Sequence, residues 1–87
     1  MKYFVYLLIN LNNSKATSYV GYTSNLKKRL YLHNNSKGAK FTKGRKWKLI
    51  YKKAYKSKSL AMKNEYILKK NYKIRSMIKS KFLHKGI

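Results

Sequence analysis

The first apolar run, Tyr3-Phe4-Val5-Tyr6-Leu7-Leu8-Ile9, is short, continuous and rich in β-branched and aromatic residues. That pattern predicts a buried strand. Asn10 to Lys15 holds three Asn and a Ser and reads as a turn. Ser18 to Tyr22 follows as a second short strand, so the two form an antiparallel hairpin. Gly21 marks a bulge or a close backbone approach. Thr23, Ser24 and Asn25 offer helix-capping side chains, and Leu26, Leu30 and His33 recur at helical spacing. Residues 24–34 therefore read as the first helix. Ala39 to Lys46 is polar and basic, with Gly44 as a breaker, and reads as a surface loop. Trp47 to Tyr55 alternates imperfectly, with Trp47, Leu49 and Tyr51 on one side, and reads as a third strand. Ser57 and Ser59 can cap a second helix whose apolar face is Leu60, Ala61, Asn64, Ile67 and Leu68. Ile74, Met77, Ile78 and Phe82 form a third helical stripe. The order β-β-α-β-α-α predicts an α+β fold: a small three-stranded antiparallel sheet flanked by helices.

The 87 residues fit a single domain, residues 1–87. Charge changes the picture most. There are 23 Lys plus Arg against one acid, a formal net charge of +22. Such a chain repels itself, and a polyanion relieves the repulsion while shedding counterions. Nucleic acid, DNA or RNA, is the first partner this implies. A plain basic protein, such as a ribosomal component, satisfies the same composition, and AT-rich codons can have added some lysines. The Met1–Asn10 segment is too short to span a bilayer and lacks a nearby signal cleavage site. The expectation is a soluble cytoplasmic protein with no membrane partner.

Inventory excludes much chemistry. With no Cys and no Asp, thiolate metal sites, disulfides and Ser/His/Asp or Cys/His triads are absent. No glycine-rich phosphate loop is present. His33 and His84 are far apart and have no zinc spacing. Any enzyme here works with Tyr, His, Arg, Lys and one glutamate. That glutamate is Glu65, on the second predicted helix. A surface pair with Lys69, four residues on, is its ordinary role. A hard cation such as Mg²⁺ needs at least one protein oxygen anion, and Glu65 is that minimum.

Phe4-Val5-Tyr6 and Tyr19-Val20-Gly21 resemble the two halves of the GIY-YIG nuclease signature. The first half departs at Phe4 and Val5 and keeps the tyrosine. Tyr19-Val20-Gly21-Tyr22-Thr23, then Asn25-Leu26, Arg29-Leu30 and His33-Asn34, is similar to the branch of SLX-type and stand-alone YhbQ-like proteins. Gly38-Ala39-Lys40-Phe41-Thr42, Trp47-Lys48-Leu49 and Ser59-Leu60-Ala61 leading to Glu65 continue the likeness over roughly the first 70 residues. Tyr22 stands where the excision-repair branch commonly has lysine. The expectation is that no zinc-binding domain of the eukaryotic SLX kind follows, so substrate choice that depends on it does not carry over.

The resemblance implies a one-metal DNA endonuclease. Tyr6 would be the general base, Glu65 the holder of Mg²⁺ or Mn²⁺, and Arg29 the phosphate grip, its planar fork suiting that task. Tyr19 and His33 would orient water or phosphate oxygens. A free tyrosine titrates near 10, so neighbouring cations would have to favour the Tyr6 phenolate. Gly21 would allow close packing beside the site, and Asn34 matches the motif without an assigned role. Lys37, Lys40, Lys43, Arg45, Lys46 and Lys48 form a basic stretch, interleaved with Phe41 and Trp47, that suits a nucleic-acid groove. Trp47 is the better candidate for the core. The alternative is a basic module on the same scaffold that holds nucleic acid without cutting it.

Overall fold

The computed structural model describes residues 2–10, 17–35, 37, 38, 40–42, 44 and 46–85. Three strands form one antiparallel sheet: β1 (Tyr3–Asn10), β2 (Thr17–Thr23) and β3 (Lys48–Tyr55), in the order β2-β1-β3. The most apolar strand thus takes the middle, where both its edges are paired and both its faces are covered. Val5 to Asn10 are all buried. Around the sheet lie α1 (Leu26–Asn34), α2 (Lys58–Lys70) and α3 (Tyr72–Lys85). This is the α+β arrangement expected from the sequence. The loop before β3 also contains a short 3-10 turn, Lys40–Thr42, that the polar composition did not announce.

Local chemistry sets the helix ends. The Asn25 side chain accepts a hydrogen bond from the Lys28 N–H at 3.1 Å, and Ser57 accepts one from Leu60 at 3.2 Å. These contacts satisfy orphan donors of the first turns of α1 and α2. The first helix consequently starts at Leu26, two residues after Ser24. Asn71 closes α2 and accepts the Ile74 N–H at 3.1 Å, capping α3.

The sheet sorts its side chains by parity. From β1, Val5 and Leu7 pack with Val20, Ala61 and Leu68 beneath α2 and α3. Tyr6 and Leu8 pack with Trp47, Tyr19, Leu26, Leu30 and Leu49 on the α1 side. Trp47 is accordingly a core residue.

Three expectations need correction. The β1–β3 pairing shifts between Leu7 and Leu8, opposite Tyr51 and Leu49, so Ile50 is the extra residue. That irregularity sends Leu49 to the α1 face and Tyr51 to the other, which is why the alternation looked imperfect. In α2 the buried face is Ala61 and Leu68, while Leu60 and Ile67 are exposed. In α3, Ile78 reaches the core, whereas Ile74 and Met77 are exposed. Among the described residues, no helix is long and apolar enough to cross a membrane.

Candidate active site

Tyr6 sits at the centre of β1, directly across from Gly21 on β2. Its ring passes over that glycine: a Cβ at position 21 would collide with the Tyr6 hydroxyl and the ring carbon bearing it. The β1–β2 register is unbroken there, so Gly21 serves close approach and not a bulge. The hydroxyl reaches His33 of α1, with Oη 2.8 Å from Nε2. The other imidazole nitrogen, Nδ1, lies 2.8 Å from Thr42 Oγ1. Tyr6, His33 and Thr42 are thus a buried polar chain, with His33 at 0% exposure. Both ring nitrogens are already engaged, which leaves the imidazole no lone pair for a metal.

Tyr19 of β2 closes the cluster, its ring centroid 5.0 Å from His33 and 6.5 Å from Tyr6. Trp47 meets Tyr19 edge-on at 6.3 Å and donates its indole N–H to the Thr42 carbonyl at 3.1 Å. Arg29, one turn before His33, acts on both partners. Burial chiefly, then the Arg29 charge, pulls the His33 pKa below its usual 6.5, so the imidazole is neutral near pH 7.

Burial pushes the Tyr6 phenol up to about 12. Arg29 opposes this as hydrogen-bond partner and as charge, while Tyr19 and Glu65 add to the rise. The expectation that cations favour the phenolate holds for the direction of Arg29 alone; in the protein by itself, desolvation outweighs it. Of these influences on the phenol, that of Glu65 is the smallest. Glu65 also keeps its ordinary helical partner: Lys69 Nζ is 3.6 Å from Oε1, with the carboxylate side chain 18% exposed and the lysine 59%.

A family model describing the GIY-YIG catalytic domain matches residues 2–77. The chain belongs to the GIY-YIG family. It is 44% identical over 69 residues to a UPF0213 protein of Staphylococcus haemolyticus, covering 78% of this chain and 80% of that one. A UPF0213 protein of Streptococcus agalactiae is 47% identical over 60 residues, 68% of each chain. The solution structure of the UPF0213 protein BH0048 from Bacillus halodurans superposes with a TM-score of 0.50 at 30% identity, over 94% of this chain and 85% of that one. GIY-YIG domains form a nuclease superfamily, and the stand-alone branch inferred from the motifs is the one these relatives occupy.

Three residues around this candidate site carried no assigned role in the sequence. Thr42 holds the outer nitrogen of His33. Gly38 lies so close to that ring that a Cβ would strike Nδ1. Asn34 clasps both backbone groups of Trp47, donating to its carbonyl at 3.1 Å and accepting its N–H. The signal available was the Gly38-x-x-x-Thr42 spacing inside the resembling segment. Together these contacts hang the basic loop beside Tyr6 and His33. Lys37, Lys40 and Lys46 on that loop are exposed; Lys43 and Arg45 lie outside the described residues, as does the Phe41 side chain. Lys48 leans the other way, its Nζ 5.3 Å from the Phe82 ring centroid.

The donor set limits which metal suits the site. Among the described residues, no three His, Cys, Asp or Glu side chains gather as ligands. One half-buried carboxylate fits a hard, largely hydrated cation such as Mg²⁺ and does not fit zinc.

Proposed function

We propose that this chain is a metal-dependent DNA endonuclease that hydrolyses phosphodiester bonds. The observation that carries the reading is the hydrogen-bonded Tyr6–His33 pair, flanked by Arg29, with the lone carboxylate acting on the same phenol. In this reading the 87 residues work as one domain in the cytoplasm. Branched, flapped or single-stranded DNA is its substrate, in repair or recombination.

Each residue has a task. Neutral His33 accepts the Tyr6 O–H at Nε2 while Nδ1–H donates to Thr42, which aims the phenol oxygen and fixes the tautomer. Tyr6 takes the proton of the attacking water as its own proton passes to His33 Nε2, and the imidazolium so formed, disfavoured by burial and by Arg29, releases that proton to water when the product leaves. Arg29 neutralises the phosphate and, being always charged, also favours the phenolate. Tyr19 orients water against the imidazole edge. Lys37, Lys40 and Lys46 neutralise strand phosphates beside the site, and Lys43 and Arg45 add positive charge to the same stretch of sequence. Glu65 would hold Mg²⁺ or Mn²⁺, whose contribution when bound is stabilisation of charge on the phosphate and the leaving oxygen.

The test is nicking of branched, flapped and single-stranded DNA with Mg²⁺ or Mn²⁺. Wild type cleaves, whereas Glu65→Ala and Tyr6→Phe lose activity by at least about 100-fold. Cleavage surviving both changes would point to another mechanism. A second reading, a basic module that binds nucleic acid without cutting it, draws support from the net charge of +22 and from a phenol that stays protonated at neutral pH. It predicts salt-dependent binding of DNA or RNA and no turnover with either metal.

A further inference from the structure

A cavity of about 300 Å³ lies along the edge strand β2, lined by Ser18, Tyr19 and Val20, by Lys69 of α2 and by Arg75 of α3. Its lining residues include two cations, two hydroxyl-bearing side chains and no acid. Arg75 is the telling member. Its Nε is buried and has no hydrogen-bond partner among the described residues. Its guanidinium carbon lies 5.8 Å from the Tyr72 ring centroid. The ring covers the guanidinium, which leaves its in-plane N–H groups to find an acceptor. A buried, charged donor without an acceptor is costly, and an oxyanion removes the cost.

The cavity adjoins the candidate active site through two shared residues. Tyr19 lines it and also meets His33. Lys69 lines it and also pairs with Glu65. A strand lying along β2 would therefore touch both places in succession.

We infer that this cavity is a second phosphate subsite. It takes a phosphodiester group of the same strand, flanking the one presented to Tyr6 and Glu65, on Arg75 with Lys69 and Ser18. The inference rests on the nucleic-acid reading of the site. An anion seated there draws the Lys69 ammonium toward itself and away from the Glu65 carboxylate, so strand binding readies that carboxylate for a cation.

Two measurements in EDTA test it without requiring cleavage. In ¹⁵N-labelled protein, inorganic phosphate shifts the Arg75 Nε–H and Ser18 amide resonances saturably, and sodium chloride at equal ionic strength does not. In anisotropy titrations with a fluorescent single-stranded 12-mer, Arg75→Gln weakens binding about ten-fold and lowers the log–log salt slope by roughly one. Lys53→Gln, an exposed β3 position outside the cavity, weakens it markedly less. Absence of the phosphate shift, or equal losses in the two variants, overturns the subsite. Failure of wild type to cut any DNA would sink the endonuclease reading while leaving these binding results intact.

Discussion

The two faces of the sheet are built from alternate residues of one strand yet obey different rules. Beneath α2 and α3, Val5, Leu7, Val20, Ala61 and Leu68 make a dry apolar cluster. On the α1 side, Tyr6, Leu8 and Trp47 pack around a buried polar chain from the phenol through His33 to Thr42. The dry face holds the protein together by area removed from water. The wet face carries the candidate site, and each polar group in that chain bonds to the next. Damage on the first should cost stability, and damage on the second should cost protonation control.

The largest expected effect falls on the dry face. Leu7 is completely buried. Leu7→Ala should remove about 2–5 kcal/mol, a large share of what a self-repelling 87-residue chain can spare. Thermal melting should drop by about 4–8 °C for each kcal/mol lost. An unchanged melting temperature would show that the dry face is not the stabilising one.

A smaller effect, of opposite character, belongs to the wet face. His33 has its pKa lowered from 6.5 by burial first and Arg29 second. A depressed folded-state value means that the unfolded chain binds protons first as pH falls. His33 thus contributes stability above pH 6.5 that is lost progressively below it. Acid unfolding usually reports carboxylates, but here there is only one. Melting temperature should fall between pH 6.5 and 5 in wild type, and the slope should flatten in His33→Gln but not in His84→Gln. A flat wild-type profile would contradict the buried neutral imidazole.

Much of the scaffold was legible in the sequence because it is periodic. The apolar run of β1, the hairpin and the Leu26–Leu30–His33 spacing each name an element and the face it turns inward. The shift at Ile50 was visible only as broken alternation, since a bulge is a property of two paired strands. Leu60 and Ala61 are adjacent, and which of them faces the sheet depends on how α2 docks. The site was legible through motif order alone: Tyr6, Gly21, Arg29, His33 and Glu65 have no common period. Thr42, Gly38 and Asn34 stayed without roles because their partners are set by loop closure. Thr42 lies nine residues from His33, and Trp47 thirteen from Asn34.

The central claim is that the single carboxylate of α2 and the phenol of β1 share one site able to hold a cation. Paramagnetic broadening by Mn²⁺ in ¹⁵N-labelled protein tests it most directly. At low Mn²⁺, resonances of Glu65, Gly21 and the Tyr6 ring should broaden first, and Glu65→Ala should abolish the effect. Broadening centred elsewhere, or unchanged in Glu65→Ala, would contradict the account.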